Sequence, residues 1–255
     1  MRICDTVLTA WGAVAVFAAG IGAGGINAVV GSGSLITFPT LLALGYPPIV
    51  ANVSNNIGLV PGGVTGVLGY RAELKGQRAR LIRLGAASVL GSLVGAFLLL
   101  RLPAQAFQVI VPVLIAIALV LVVIQPKMAG WISGRPHRDH GGPWLWLGVF
   151  GGGMYGGYFG AAQGVVLIGL MGLFLDEELQ RLNAAKNLLA LLVNFTAALL
   201  FIFIADVDWL VVALIAVGSA IGGYLGARIG RRIPSPILRG VIVVVGIVAI
   251  VKLLA

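Results

Sequence analysis

Residues 20–56, GIGAGGINAVVGSGSLITFPTLLALGYPPIVANVSNN, decide the fold, because residues 151–187, GGGMYGGYFGAAQGVVLIGLMGLFLDEELQRLNAAKN, repeat their plan. An offset of 131 residues superposes Gly20 on Gly151, Gly22 on Gly153, Gly25 on Gly156 and Gly33 on Gly164. The same offset pairs Asn52 with Asn183 and Asn56 with Asn187. It runs on without a gap through Ser88/Ser219, Gly91/Gly222, Gly95/Gly226, Arg101/Arg232 and Pro103/Pro234. So many ungapped Gly, Asn and Pro matches read as an internal duplication. Each copy is an apolar segment broken by glycines and followed by an asparagine-bearing helix. In a membrane protein, that pairing in both halves is the best sequence pointer to a substrate site.

The setting is a bilayer. Of 255 residues, 60% are hydrophobic and only 10% charged, with a mean hydropathy of +1.08. Soluble domains carry roughly 25% charged residues, so this chain cannot cover a water-facing surface. Apolar runs near the ~20 residues that span a bilayer recur along it, and the short alternating strands of a β-barrel do not. The fold class is therefore an all-α integral membrane protein of eight to ten segments, the count depending on whether two short pieces span. The net charge of +9 does not signal nucleic acid, because the cations sit in short loops between apolar runs, as the positive-inside rule describes. A single cysteine, Cys4, excludes an intrachain disulfide. The N-terminus has no clear small-residue cleavage site, which argues against a removed signal peptide.

The first repeat is expected over residues 1–124, a cytoplasmic linker over 125–143 and the second repeat over 144–255. In the first, a glycine-rich segment (8–30) stops at Gly31-Ser32-Gly33-Ser34. A short piece, Leu35 to Leu44, follows and is either one arm of a re-entrant hairpin or half of a broken helix. A helix over about 49–70 carries a kink signal at Pro61-Gly62-Gly63. Spans over 84–100 and 106–124 come next. The second repeat reads 144–160, a break at Gly160-Ala161-Ala162-Gln163-Gly164, a piece over 165–175, an amphipathic stretch from Asp176 to Asn183, then spans over 184–204, 209–227 and 237–254.

Equivalent loops differ in charge. The loop Arg71–Arg83 is strongly basic, whereas its counterpart at Ala205-Asp206-Val207-Asp208 is acidic. The turn at Arg101 has one cation, and its counterpart holds Arg228, Arg231, Arg232 and Arg239. The positive-inside rule then puts equivalent loops on opposite faces, which makes the halves inverted repeats, as in many secondary transporters.

Several features bear on chemistry. Backbone breaks at membrane depth are tolerated only where protein buries them or a polar cavity hydrates them. Helix N-termini at such breaks offer free N–H groups and partial positive charge to an anion. Gly31, Ser32, Gly33, Ser34, Gln163 and Gly164 are candidates on this ground. Asn52/Asn56 and Asn183/Asn187 each share a helix face, with Asn55 beside the first pair and Asn194 extending the second. Lys186 either marks an anion path, or snorkels to the interface or pairs with Asp176, Glu177 or Glu178. The stripes Ser88/Gly91/Gly95 and Ser219/Gly222/Gly226 read as close helix packing. His137, Asp139 and His140 read as a solvated loop rather than a metal site. The glycine pattern at 151–156 lacks a preceding strand and is not a dinucleotide site. None of the eight acids falls inside a span, so no carboxylate proton relay is available there.

The motifs Gly31-Ser32-Gly33-Ser34 with Pro39, Ala51-Asn52-Val53-Ser54-Asn55, and Asn183-x-x-Lys186-Asn187 resemble those of the TauE/SafE sulfite exporter family, also called the toluene sulfonate uptake permeases. The resemblance covers about residues 10–254. It implies carriage of sulfite or a small organosulfonate across the cell membrane, usually outward, by a multi-pass protein. The second half lacks the Pro and Ser of the first motif, with Leu170 opposite Pro39 and Val165 opposite Ser34. The expected function is thus an alternating-access secondary transporter with no cofactor and no metal, whose partners are a small anion and the bilayer. A homodimer is among the assemblies the chain allows. An anion channel with the same site is one rival reading, and an intramembrane enzyme is the other.

Overall fold

The computed structural model describes residues 8–132 and 141–229, together with 243, 244 and 247. Among the described residues there are nine helices and no strand: α1 (Ala10–Val29), α2 (Ser34–Ala43), α3 (Pro48–Gly69), α4 (Arg78–Arg101), α5 (Ala104–Ile132), α6 (Gly142–Tyr158), α7 (Gln163–Phe174), α8 (Leu179–Ile204) and α9 (Trp209–Ile229). Four of them, α1, α4, α8 and α9, are long and apolar enough to cross a membrane. The helices α2 and α7 are apolar but only 10 and 12 residues long.

Local sequence sets the boundaries. Thr9 begins α1 by accepting a hydrogen bond from the Gly12 N–H at 3.1 Å. Pro48 occupies the first turn of α3, where its missing N–H costs nothing. Asp208 accepts from the Val211 N–H at 3.0 Å and opens α9. Before α7, Ala162 takes a left-handed conformation at φ +56°, which costs a residue with a Cβ roughly 1–2 kcal/mol. The position equivalent to Ala162 is Gly31, also left-handed at φ +87°.

Three boundaries differ from the sequence expectation. Helix α4 starts at Arg78 and α8 at Leu179, so the basic loop is shorter than 71–83 and the amphipathic stretch Asp176–Asn183 is helix from Leu179 onward. Arginine and leucine are good helix formers, and their charge or amphipathicity does not end a helix. Helix α5 runs to Ile132, through Pro126 and Gly130 and well into the stretch expected to be linker. The expected span at 237–254 and the residues His137, Asp139 and His140 lie outside the described residues.

Packing follows the small-residue stripes. Helix α1 lies along α9, and α4 lies along α6. A methyl group on Gly24 would strike the Ser219 carbonyl oxygen, and one on Gly222 would strike that of Ile21. In the other pair, Gly91 meets the Phe150 carbonyl and Gly95 that of Met154. Backbones this close gain dispersion contacts that lipid cannot supply, which is what holds helices together where the hydrophobic effect is absent. Helices α3 and α8 pack on each other between these pairs, and α2 and α7 bring the two breaks to that junction.

Candidate functional site

The two breaks touch. The Gly164 N–H donates to the Gly31 carbonyl at 3.0 Å, and a Cβ on Gly164 would lie 2.5 Å from the Gly31 Cα. Only glycine at both positions permits this approach. Each break is tied to its own half. The Gly33 N–H donates to Asn27 Oδ1 at 2.7 Å, and the Tyr155 hydroxyl donates to the Ala161 carbonyl. Phe38 of α2 meets Phe159 of the second break edge-on, with ring centroids 5.1 Å apart.

Amides of α3 and α8 reach across to the opposite half. Asn52 Nδ2 donates to the Tyr158 carbonyl at the end of α6, at 3.1 Å. In return, Asn183 and Asn187 donate to the Ala28 carbonyl near the end of α1, at 3.2 and 3.1 Å. Lys186 is fully buried and donates from Nζ to the Asn27 carbonyl at 2.8 Å and the Ala28 carbonyl at 3.4 Å. A cation suits the negative end of a helix dipole. Asn55, equivalent to Lys186 under the offset, accepts from the Thr37 hydroxyl instead. Asn56 donates to Asn194 Oδ1 at 3.3 Å and joins α3 to α8.

Lys186 neither snorkels nor pairs with the nearby acids. Glu177 is held by Arg80 at 2.8 Å and Arg181 at 2.6 Å. Burial raises the Glu177 pKa, but hydrogen bonds from Arg181 and Arg80 and their charges lower it further, and the net position is below the usual carboxylate range. Among the described residues no ion pair involves Lys186. A buried cation with only carbonyl partners is costly unless a counter-charge arrives.

Beside this junction lies a cavity of about 30 Å³ whose lining includes Asn27, Gly31, Ser34, Gln163, Gly164, Asn187 and Asn194. One water needs roughly 10–15 Å³ on this measure, so the space suits two or three waters or one small anion. The structure thereby sorts the expected residues. Gly31, Ser34, Gln163, Gly164 and Asn187 line the cavity. Ser32, Gly33, Asn52, Asn55, Asn56, Asn183 and Lys186 are outside the lining, and of these Asn52, Asn183 and Lys186 hold the carbonyls of Tyr158, Ala28 and Asn27. The Lys186 stem lies against both glycines, its Cδ 2.8 Å from where a Gly164 Cβ would be. Asn56 Oδ1 and Asn183 Oδ1 are buried without a partner. As acceptors they do not suit an anion, which fits their place outside the lining. Asn27 was not a sequence candidate. Its signal was there, an amide inside an otherwise apolar segment four residues before Gly31.

Among the described residues no cluster of His, Cys, Asp or Glu could hold a metal ion. A family model described as "Sulfite exporter TauE/SafE" matches residues 16–253. The chain belongs to the TauE/SafE sulfite exporter family. It is similar to the "Probable membrane transporter protein YfcA" of Escherichia coli (strain K12), with 27% identity over 91% of this chain and 86% of that protein. A "Probable membrane transporter protein" of Haemophilus influenzae is 24% identical over 93% of this chain and 92% of its own length. The "Probable membrane transporter protein ORF9" of a Sinorhizobium species is 27% identical over 94% and 91%. No solved structure matches the chain at a significant level. TauE/SafE proteins and these relatives are membrane transporters rather than enzymes, and this TauE/SafE member is accordingly an integral membrane transporter.

Proposed function

We propose that the protein is a multi-pass cell-membrane carrier that moves sulfite or a small organosulfonate by alternating access, holding the anion in the cavity where the two breaks meet. The halves, residues 1–124 and 144–255 joined across 125–143, are inverted repeats that rock against each other around that site. The observation that carries the reading is the pairing of a cavity with polar lining (Asn27, Ser34, Gln163, Asn187) with the buried Lys186 behind it, which has no ion-pair partner among the described residues. A small anion supplies the counter-charge that the lysine lacks, and amide and hydroxyl donors take its oxygens. The packing exchange supports the two-fold relation: α3 and α8 start 131 residues apart, as do α4 and α9, and α1 lies on α9 as α6 lies on α4. The small volume favours sulfite over an aromatic sulfonate.

Export of an anion from a negative-inside cell is favoured by about 2.3 kcal/mol per charge per 100 mV, so outward transport needs no coupled ion. The test is sulfite flux in proteoliposomes, wild type against Lys186→Ala, with and without an imposed potential. Potential-driven, saturable flux with counter-flow exchange, lost in the variant, is the expected result. Equal flux in both removes Lys186 from the path. Non-saturating flux without counter-flow replaces the carrier with a channel, and the absence of sulfite flux from a folded preparation refutes the assignment.

A further inference from the structure

The two asparagine-bearing helices are unlike along their length. Helix α8 contains neither glycine nor proline, whereas α3 carries Gly58, Pro61, Gly62, Gly63 and Gly66. A proline inside a helix removes one hydrogen bond, and its ring pushes against the carbonyl four residues back. At this turn a hydroxyl from another helix enters the ladder. The buried Ser219 of α9 accepts from the Gly62 N–H at 3.2 Å and donates to the Gly58 carbonyl at 2.8 Å. An unbroken helix joins those two backbone groups to each other. The Ala216 carbonyl, at 3.2 Å, is the hydroxyl's alternative acceptor. Further along α3, the Thr65 hydroxyl lies 3.1 Å from the Gly62 carbonyl and 3.0 Å from the Ala220 carbonyl of α9.

The second half has the same parts without the insertion. The offset places Leu192 opposite Pro61, Val193 opposite Gly62 and Ser88 opposite Ser219, and α4 packs on α8 as α9 packs on α3. Ser88 is fully buried, and its hydroxyl has no partner among the described residues. Of the two serines, the one that enters a helix ladder is the one beside the proline.

We propose that Ser219 is the pivot on which α3 changes its bend during transport, while α8 stays straight. This rests on the alternating-access reading above. A helix within a bilayer cannot leave a backbone group open, so a turn that flexes needs a partner it can exchange. The Ser219 hydroxyl is such a partner, bonded to Gly58 when the turn is open and free to pass to Ala216 when Gly62 closes directly on Gly58. The start of α3 is held, by Asn52 on the Tyr158 carbonyl and by Ser54 on the Asp208 N–H. Leu59, Gly63 and Gly66 line the cavity, so a change of bend between Gly58 and Gly62 moves the two glycines relative to Leu59 and reshapes that wall. Ser219 and Pro61 are outside the lining. They act on the conformational step and leave the anion's contacts alone.

The test measures saturable sulfite flux per folded protein in proteoliposomes for wild type, Ser219→Ala, Pro61→Ala, their double variant and Ser88→Ala. Ser219→Ala is expected to lower the maximal rate roughly tenfold, the worth of about one hydrogen bond, with the half-saturation concentration unchanged. Pro61→Ala returns the N–H that the ladder lacks and is expected to lower the maximal rate similarly. The double variant should be no slower than either single one, because each change removes the same flexing turn. Ser88→Ala deletes an idle hydroxyl and is expected to transport as wild type does. Ser219→Cys, which keeps a weak donor, takes the place of Ser219→Ala should the latter fail to fold, with a smaller loss of rate expected. A wild-type rate in the Ser219 variant, a raised half-saturation concentration at unchanged maximal rate, losses that multiply in the double variant, or an equal loss in Ser88→Ala overturns the inference. A wild type without saturable flux or counter-flow overturns the alternating-access reading instead.

Discussion

Replacing Gly164 with alanine is expected to damage this protein far more than the same change at Gly151, although both are helical glycines of the second half. The added Cβ at position 164 would lie 2.5 Å from the Gly31 Cα, 2.8 Å from Lys186 Cδ and 2.9 Å from the Gly31 carbonyl oxygen. Two of the three are backbone atoms that cannot rotate away. Overpacking of this kind costs about 1–3 kcal/mol. Parting the breaks also strains the hydrogen bond from the Gly164 N–H to Gly31, worth about 1 kcal/mol. The sum is roughly 2–4 kcal/mol, a drop in unfolding midpoint on the order of 5–15 °C for a chain of this size. Gly151 has nothing within 4 Å of its Cβ position, and alanine there gains up to ~1 kcal/mol of helix propensity. Thermal unfolding of the purified protein in one detergent, followed by intrinsic fluorescence, compares the three forms. Wild-type-like melting of Gly164→Ala, or an equal drop in both variants, would refute the contact between the breaks as the structural centre of the site.

Three further outcomes follow from the same geometry. Lys186→Met replaces a buried amine with an apolar chain of similar volume, and the Ala28 carbonyl keeps its bonds from Asn183 and Asn187. Its melting midpoint should stay within a few degrees of wild type, while sulfite flux falls roughly 10- to 100-fold, the equivalent of the 1.5–3 kcal/mol from a hydrogen bond to a charged group. Asn27→Ala frees the Gly33 N–H, with an expected loss of about 1 kcal/mol in stability and a fall in sulfite flux, read by melting and by proteoliposome assay. Glu177 has a depressed folded pKa, so its contribution to stability is complete above the unfolded value of about 4.3 and disappears as pH falls through the lower folded value. Wild type should therefore melt above Glu177→Gln at pH 7, and the gap should close as the pH is taken below about 4. A gap that persists there would contradict the pairing with Arg80 and Arg181.

The 131-residue offset anticipates much of the helical layout, because Gly, Asn and Pro mark the same turns in both halves. Pro48 and Leu179 start equivalent helices, as do Arg78 and Trp209. The packing role of Gly91, Gly95, Gly222 and Gly226 was readable too, since small residues at spacing four present a flat helix face. What each polar side chain grips was not readable. Lys186 binds the Asn27 carbonyl 159 positions away, and Asn52 binds the Tyr158 carbonyl 106 positions away. A backbone carbonyl leaves no trace in residue type, so the partner of a buried amide or amine is fixed only by how helices cross. The same reason separates Ser34, which lines the cavity, from Ser32, which is fully buried with an unpartnered hydroxyl. Two serines two residues apart at a helix start look alike in sequence. Helix α8 starts earlier than its charged residues suggest, because a helix continues through them when no Gly or Pro intervenes, whereas the run of α5 past Pro126 and Gly130 has no signal in the residue types.

The most direct test of the central claim is to locate the anion. Selenite has the shape and charge of sulfite, and its selenium gives an anomalous signal in a crystal of the protein. One selenium peak bounded by Asn27, Ser34, Gln163 and Asn187, absent from crystals of Lys186→Met, is the result this account predicts. A protein that carries selenite but binds it elsewhere, with the cavity filled only by water, would contradict it.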